Sequence, residues 1–168
     1  MRKWFLQEEK TYMSEKEIKQ SNLKLMETAE LVYLATVDNE GFPQVRAMVN
    51  LRNASLNSST AKVFENHDDD FLMYFTTHKS SDKMRHIRIN PNASVYFCDS
   101  KQRYGLLLAG KIEIATDAKL KKDLWQERWV KHFPAGADDP EYIVLRFVPS
   151  FVKGWSPEGP FQFKLTQK

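Results

Sequence analysis

LVYLATVDNEGFPQVRAMVNLR, residues 31–52, consists of two runs rich in β-branched and apolar residues separated by Asp38-Asn39-Glu40-Gly41. Such residues suit a pleated, half-buried surface, while Asp, Asn and Gly tolerate the positive φ of a tight connection, so the stretch predicts a β-hairpin. Downstream, residues 53–70 turn polar, with Asn53, Ser55, Asn57, Ser58 and Ser59, then His67 before Asp68, Asp69 and Asp70. They predict a long exposed connection. Phe71–Thr77 predicts a third strand. Residues 80–90 open with serines and carry Met84, Ile87 and Arg88 on one helical face. A short helix is expected there, capped by Ser80 or Ser81 and stopped before Pro91.

ASVYFCD at 93–99 and YGLLLAGKIEIAT at 104–116 predict two further strands, the second bulged at Gly110. Asp117 is the cap expected of a helix in which Leu120, Leu124, Trp125 and Trp129 recur at three- to four-residue spacing until Phe133-Pro134-Ala135-Gly136. The two tryptophans read as core or subunit-interface residues. YIVLRFV at 142–148 and FVKGW at 151–155 predict two last strands on either side of Pro149. Upstream of the hairpin, Ser14-Glu15-Lys16-Glu17 has the capping-box pattern, and Ile18, Leu25, Met26 and Ala29 follow at helical spacing to about Glu30. Many strands in hairpin-like succession with short helices between them predict a mainly β protein, an antiparallel barrel or sandwich.

The composition agrees with a globular chain. With 168 residues, 42% hydrophobic and 28% charged, a single domain over residues 1–168 is expected, and its core needs no disulfide or structural metal. Cys98 is the one cysteine, which excludes an internal disulfide and a thiolate zinc cluster. The net charge of +3 is too small to argue for nucleic acid or membrane without local concentration. The start at Arg2 and Lys3 leads into Gln7-Glu8-Glu9-Lys10 rather than an apolar run, so a cytoplasmic location is expected and the Asn-x-Ser patterns at Asn53, Asn57 and Asn92 carry no glycan.

Arg46 lies among apolar Val45, Ala47, Met48 and Val49 in the second hairpin strand. A guanidinium there either faces water by alternation or meets an anion. Thr76 and Thr77 at a strand end, followed by Ser80, Ser81 and Lys83 at a helix start, would gather hydroxyls, free N–H groups and an ammonium at one point. A phosphate monoester suits that combination, although the same residues also cap helices that bind nothing. The basic run Lys79, Lys83, Arg85, His86 and Arg88 reads as a solvated helix face rather than a nucleic-acid footprint, and His67 to Asp70 as a solvated acidic loop rather than a metal site. There is no Gly-x-Ser-x-Gly elbow, dinucleotide fingerprint or P-loop, so no catalytic side chain is assigned and any chemistry falls to a bound cofactor.

The order of elements resembles the FMN-binding split-barrel family of pyridoxamine 5'-phosphate oxidase, and most closely its general stress protein branch. LVYLATVDNEGFPQVRAMV resembles the family's opening hairpin, MYFTTHKSSDKMRHIRINPNASVYF its phosphate-binding strand and helix, and LLLAGKIEIATD with LWQERWVKHFPAGADDPEYIVLRFVP its later half. The resemblance implies that FMN is the cofactor and that Arg46, Thr77, Ser81 and Lys83 hold its phosphate. It also implies that Ala47, Met48, Val49 and Thr76 border the ring or ribityl chain. It further implies a homodimer with flavin in the groove between subunits and Trp155 near the isoalloxazine. The implied activity is transfer of electrons or hydride between a donor such as a reduced nicotinamide and a small acceptor. A second implied role is sequestering or sensing a flavin, haem or deazaflavin without turnover. The oxidases begin their phosphate helix Ser-Arg-Lys, whereas this chain has Ser81-Asp82-Lys83, and they end in an arginine-rich motif absent from GWSPEGPFQFKLTQK. Pyridoxamine phosphate is therefore not the expected substrate.

Overall fold

The computed structural model describes residues 14–65, 67 and 70–165, which leaves Arg2, Lys3, Asp68 and Asp69 outside the described residues. Helix α1 spans Glu15–Thr28, and its capping box is complete: Ser14 accepts from the Glu17 N–H while the Glu17 carboxylate accepts from the Ser14 N–H. The hairpin follows as β1 (Leu31–Val37) and β2 (Pro43–Val49). At its turn the Asp38 carboxylate accepts from the N–H groups of Glu40 and Phe42, and Gly41 takes a positive φ of 88°.

The segment expected to be an exposed connection is instead partly buried. A 3-10 turn at Ser58–Thr60 leads into the short helix α2 (Ala61–Phe64), and Asn53, Asn57 and Thr60 are all buried. Asn50 donates to the carbonyls of Met26 and Ala29, Asn53 to those of Thr28 and Ala29, and Asn57 to that of Asn50. The polar residues thus terminate α1 by satisfying its last carbonyls inside the protein.

Strand β3 (Met73–His78) leads to helix α3 (Asp82–Ile89), whose buried face is Met84, His86 and Ile87, with Arg88 turned to solvent rather than inward. Then come β4 (Asn92–Asp99), β5 (Tyr104–Ala115) and helix α4 (Ala118–Asp123), which Asp117 caps through the Leu120 N–H at 2.8 Å. α4 stops well short of Phe133. The tryptophans leave the helix to pack around Tyr142, with ring centroids 5.2 Å away for Trp125 and 6.1 Å for Trp129. Tertiary aromatic packing overrides the local helical spacing.

The two expected final strands are one, β6 (Tyr142–Ser156), and a further strand, β7 (Gly159–Lys164), completes the sheet. Pro149 does not break β6 because it sits where the register with β5 shifts, opposite Gly110, and a bulge tolerates a residue without an N–H. A Cβ at Gly110 would run into the Val148 carbonyl, so the bulge requires glycine.

All pairings are antiparallel, in the order β2-β1-β4-β5-β6-β3, with β7 also on β6. The main core lies inside the curved sheet and includes Met26, Val32, Leu34, Phe75, Met84, Phe97, Leu108 and Phe147. A second cluster, with Leu51, Phe64, Tyr74, Leu124, Phe133 and Tyr142, covers the other side of β3 and the first half of β6. That is why FLMYF is apolar without alternation. The outer face of β1, β2 and β4 has no such cover: Leu31, Tyr33, Val45, Val49 and Tyr96 are exposed there, as is Trp155 near the end of β6.

Candidate anion site

Arg46 sits mid-way along edge strand β2, paired with Leu34 of β1, and alternation turns its side chain to the inner side while Val45, Ala47 and Val49 face out. Its Nη1 donates to the Leu34 carbonyl at 3.1 Å and to Thr36 Oγ1 at 2.8 Å. Thr36 Oγ1 also lies 3.1 Å from His86 Nδ1 on α3. Burial pulls the half-buried Arg46 guanidinium below its ordinary arginine value, although no protein environment deprotonates it.

The start of α3 faces Arg46. β3 ends in a turn closed by the Ser81 N–H on the His78 carbonyl, and Glu141 fixes that turn by accepting the Lys79 N–H on its carbonyl and the Ser80 N–H on its carboxylate. Ser81 is the N-cap residue, yet its side chain makes no cap hydrogen bond; its hydroxyl is 3.1 Å from Thr77 Oγ1 instead. Ser81 therefore caps the positive end of the helix dipole only through its carbonyl, which accepts the Met84 N–H at 3.0 Å, and not through its side chain. Lys83 Nζ donates to the same Thr77 hydroxyl at 2.9 Å. Burial lowers the Lys83 ammonium below its ordinary value, the nearby Arg46 charge lowers it further, and Asp82 opposes both.

Two half-buried cations thus share one cleft of about 670 Å³, lined by Asp38, Gln44, Arg46, Ser81, Lys83 and His86 among others. Among the described residues neither Arg46 nor Lys83 makes an ion pair. Asp82 ion-pairs with Arg85 at 3.2 Å, with both side chains mostly exposed. Holding two unpaired cations together out of full solvent is unfavourable in itself, and an oxyanion between them removes that penalty.

Of the residues singled out in the sequence, the fold brings together Arg46, Thr77, Ser81 and Lys83. Thr76 points to the opposite side of β3 and is half-buried, Met48 packs on the core, and Ala47 and Val49 lie on the outer face. Trp155 is 54% exposed on that outer face, and β1, β4 and β5 separate its strand from β2. Sequence reasoning missed Thr36 and His86, which touch Arg46 directly or through one hydroxyl. The alternation of β1 could have placed Thr36 on the inner face beside Arg46, but nothing local marks His86. At the acidic loop, His67 Nδ1 and Asp70 Oδ2 lie 2.6 Å apart and no metal-holding group occurs among the described residues.

Over residues 44–167 the sequence matches the family described as pyridoxamine 5'-phosphate oxidase like. The chain belongs to that family. Its fold is similar to a Clostridium acetobutylicum protein related to general stress protein 26, of the pyridoxinephosphate oxidase family. The two share 27% identity and a TM-score of 0.70 over 91% of this chain and 97% of the other. General stress protein 26 from Bacillus anthracis has the same fold at 20% identity, with a TM-score of 0.66 and coverage of 89% and 99%. So does a heme binding protein from Mycobacterium smegmatis, at 12% identity and TM-score 0.62 over 91% of this chain and 60% of that one. No curated protein matches the sequence. The oxidase-like family places this chain's curved antiparallel sheet among the split barrels. Among the described residues no helix is long and apolar enough to cross a membrane.

Proposed function

We propose that this oxidase-like protein is a cytoplasmic, homodimeric FMN-binding flavoprotein that transfers electrons or hydride between a donor such as a reduced nicotinamide and a small acceptor. One observation carries the reading: Arg46 and Lys83, neither ion-paired among the described residues, converge on the start of α3, which the Ser81 side chain does not cap. A phosphate dianion meets in that place two charge-assisted donors and a favourable dipole end. FMN, when bound, supplies the redox chemistry. The chain's own residues do the rest. Arg46, Lys83, Ser81 and Thr77 fix the phosphate, while Ala47 and Val49, on the outer face of β2, border the remainder of the ligand; Met48, packed on the core, and Thr76, on the other side of β3, would reach it only through their backbone. No side chain has to serve as general base.

The bare outer face supports the homodimer. Leu31, Tyr33, Val45, Val49 and Tyr96 form an apolar surface of the kind that marks a protein contact. A second copy covers it in this reading, and it is from that copy that Trp155 reaches the flavin. The unpaired cations select a ligand by its anionic group, which favours FMN over an uncharged ring; haem, whose propionates are anionic too, is separated from it by its absorption spectrum.

The decisive measurement is the absorption spectrum of the purified protein, with the released chromophore identified after denaturation. A flavin spectrum with FMN released is the expected result. A Soret band, or a colourless protein that fails to take up added FMN, overturns the assignment. Sedimentation should show a dimer; a stable monomer that retains FMN would remove Trp155 from the site.

A further inference from the structure

Arg46, Thr36 and His86 form a hydrogen-bonded chain, and the direction of its first link is fixed. A guanidinium only donates, so Thr36 Oγ1 is the acceptor in its 2.8 Å contact with Arg46 Nη1. The single hydroxyl proton of Thr36, 1% exposed, is left to be donated, and His86 Nδ1 lies within reach of it at 3.1 Å. His86 is itself 4% exposed, on the buried face of α3. Both hydrogens on Arg46 Nη1 are occupied, one by the Leu34 carbonyl and one by Thr36. Among the described residues the Nε and Nη2 hydrogens have no acceptor, and that edge of a guanidinium can fork onto two oxygens of an oxyanion. Around His86 stand Arg46 of β2, Asp38 of the hairpin turn, which it influences electrostatically, and Lys83, Asp82 and Arg85 of its own helix.

We propose that His86 is a positioning residue of the anion site, which accepts the Thr36 hydroxyl proton and thereby holds Arg46 with its Nε–Nη2 edge turned to the ligand. Helix α3 would then serve the site twice, through Lys83 directly and, one turn later, through His86 acting on a strand residue. The inference rests on the anion-binding reading of the cleft, and its test separates the two.

The positioning is read first without ligand, by the nitrogen-15 spectrum of the Arg46 guanidinium and the His86 ring. In the native protein Nδ1 of His86 should be unprotonated and the two Arg46 Nη signals distinct, because rotation about the Nε–Cζ bond is held. His86→Leu should average those signals, and His86→Asn, whose side-chain oxygen can stand where Nδ1 was, should restore them. Thr36→Val, which keeps shape and removes the hydroxyl, should reproduce the leucine result and serves if His86→Leu fails to fold. Distinct Arg46 signals that persist in either folded variant overturn the proposal whatever the protein binds.

The second readout is FMN against riboflavin, which lacks the phosphate. His86→Leu should weaken FMN about tenfold, the lower end of the range for one charge-assisted contact, and leave riboflavin unchanged. In an Arg46→Ala background it should add nothing. Equal losses for both ligands, or additivity with Arg46→Ala, overturn the proposal. A native protein that binds neither FMN nor inorganic phosphate, yet shows the Arg46 effect, sinks the flavin reading and leaves the positioning intact.

Discussion

Arg46 and Arg52 lie six residues apart, and the fold uses them in opposite ways. Arg52, 4% exposed, donates to the carbonyls of Leu72 at 3.0 Å and of His67, stands 3.8 Å from the Asp70 carboxylate and lies over the Phe64 ring. Its donors end on the chain itself and tie the segment after β2 to the entry of β3. Arg46 ends on the chain through one nitrogen alone, and a second cation faces the same cleft. The difference shows how one residue type is structural in one place and a ligand group in another. What decides it is whether the protein supplies the acceptors.

That contrast can be broken most forcefully at Arg52. Arg52→Ala leaves the buried Leu72 carbonyl and the partly buried His67 carbonyl without their donor and should lower stability by about 3 kcal/mol, read as a reduced urea midpoint at unchanged slope. A midpoint equal to the native one would mean that Arg52 does not hold the segment. Arg46→Ala and Lys83→Ala should behave the other way round. Each should weaken FMN by about 1.5–3 kcal/mol in a titration while leaving the ligand-free urea midpoint undiminished. Native affinity in both variants would take the phosphate away from this cleft.

A subtler test is pH. Because the Lys83 value in the free protein lies below that of an ordinary lysine, its ammonium is lost at lower pH, and FMN affinity should fall as pH rises through that lowered value. The ligand-free fold should gain stability over the same rise, since between the folded and unfolded values the unfolded chain binds the extra proton. Affinity that stays level until an exposed lysine titrates, or a fall that persists in Lys83→Ala, would dissociate Lys83 from the ligand. The smallest effect is expected at Asp82. Its charge opposes the site, but it is exposed and engaged with Arg85, so Asp82→Asn should tighten FMN roughly two- to threefold in low salt. A larger gain would mean that the Asp82 carboxylate turns toward the ligand.

Much of the fold was readable because its signals are local. The capping box at Ser14, the turn at Asp38 to Gly41, the cap at Asp117 and the bulge at Gly110 each rest on residues within a few positions, and each forms as expected. The errors share the opposite property. Asn53 and Asn57 read as solvent-facing because their partners, the last carbonyls of α1 for Asn53 and the Asn50 carbonyl for Asn57, depend on how the segment folds back. Trp125 and Trp129 kept helical spacing, yet Tyr142 drew them out of the helix. Pro149 read as a strand break because Gly110, the residue that accommodates it, lies on another strand.

The candidate site divides in the same way. Sequence by itself determined the helix start with its hydroxyls and ammonium, the guanidinium on a neighbouring strand and the family to which the chain belongs, because those depend on residue type and short spacing. Tertiary structure alone decided that Arg46 and Lys83 share a cleft, that Asp82 turns to Arg85, and that His86 reaches Thr36 across fifty residues of chain. Periodicity specifies which face of an element a residue occupies. Only the packing of one element on another specifies which charges meet, and how much water remains between them.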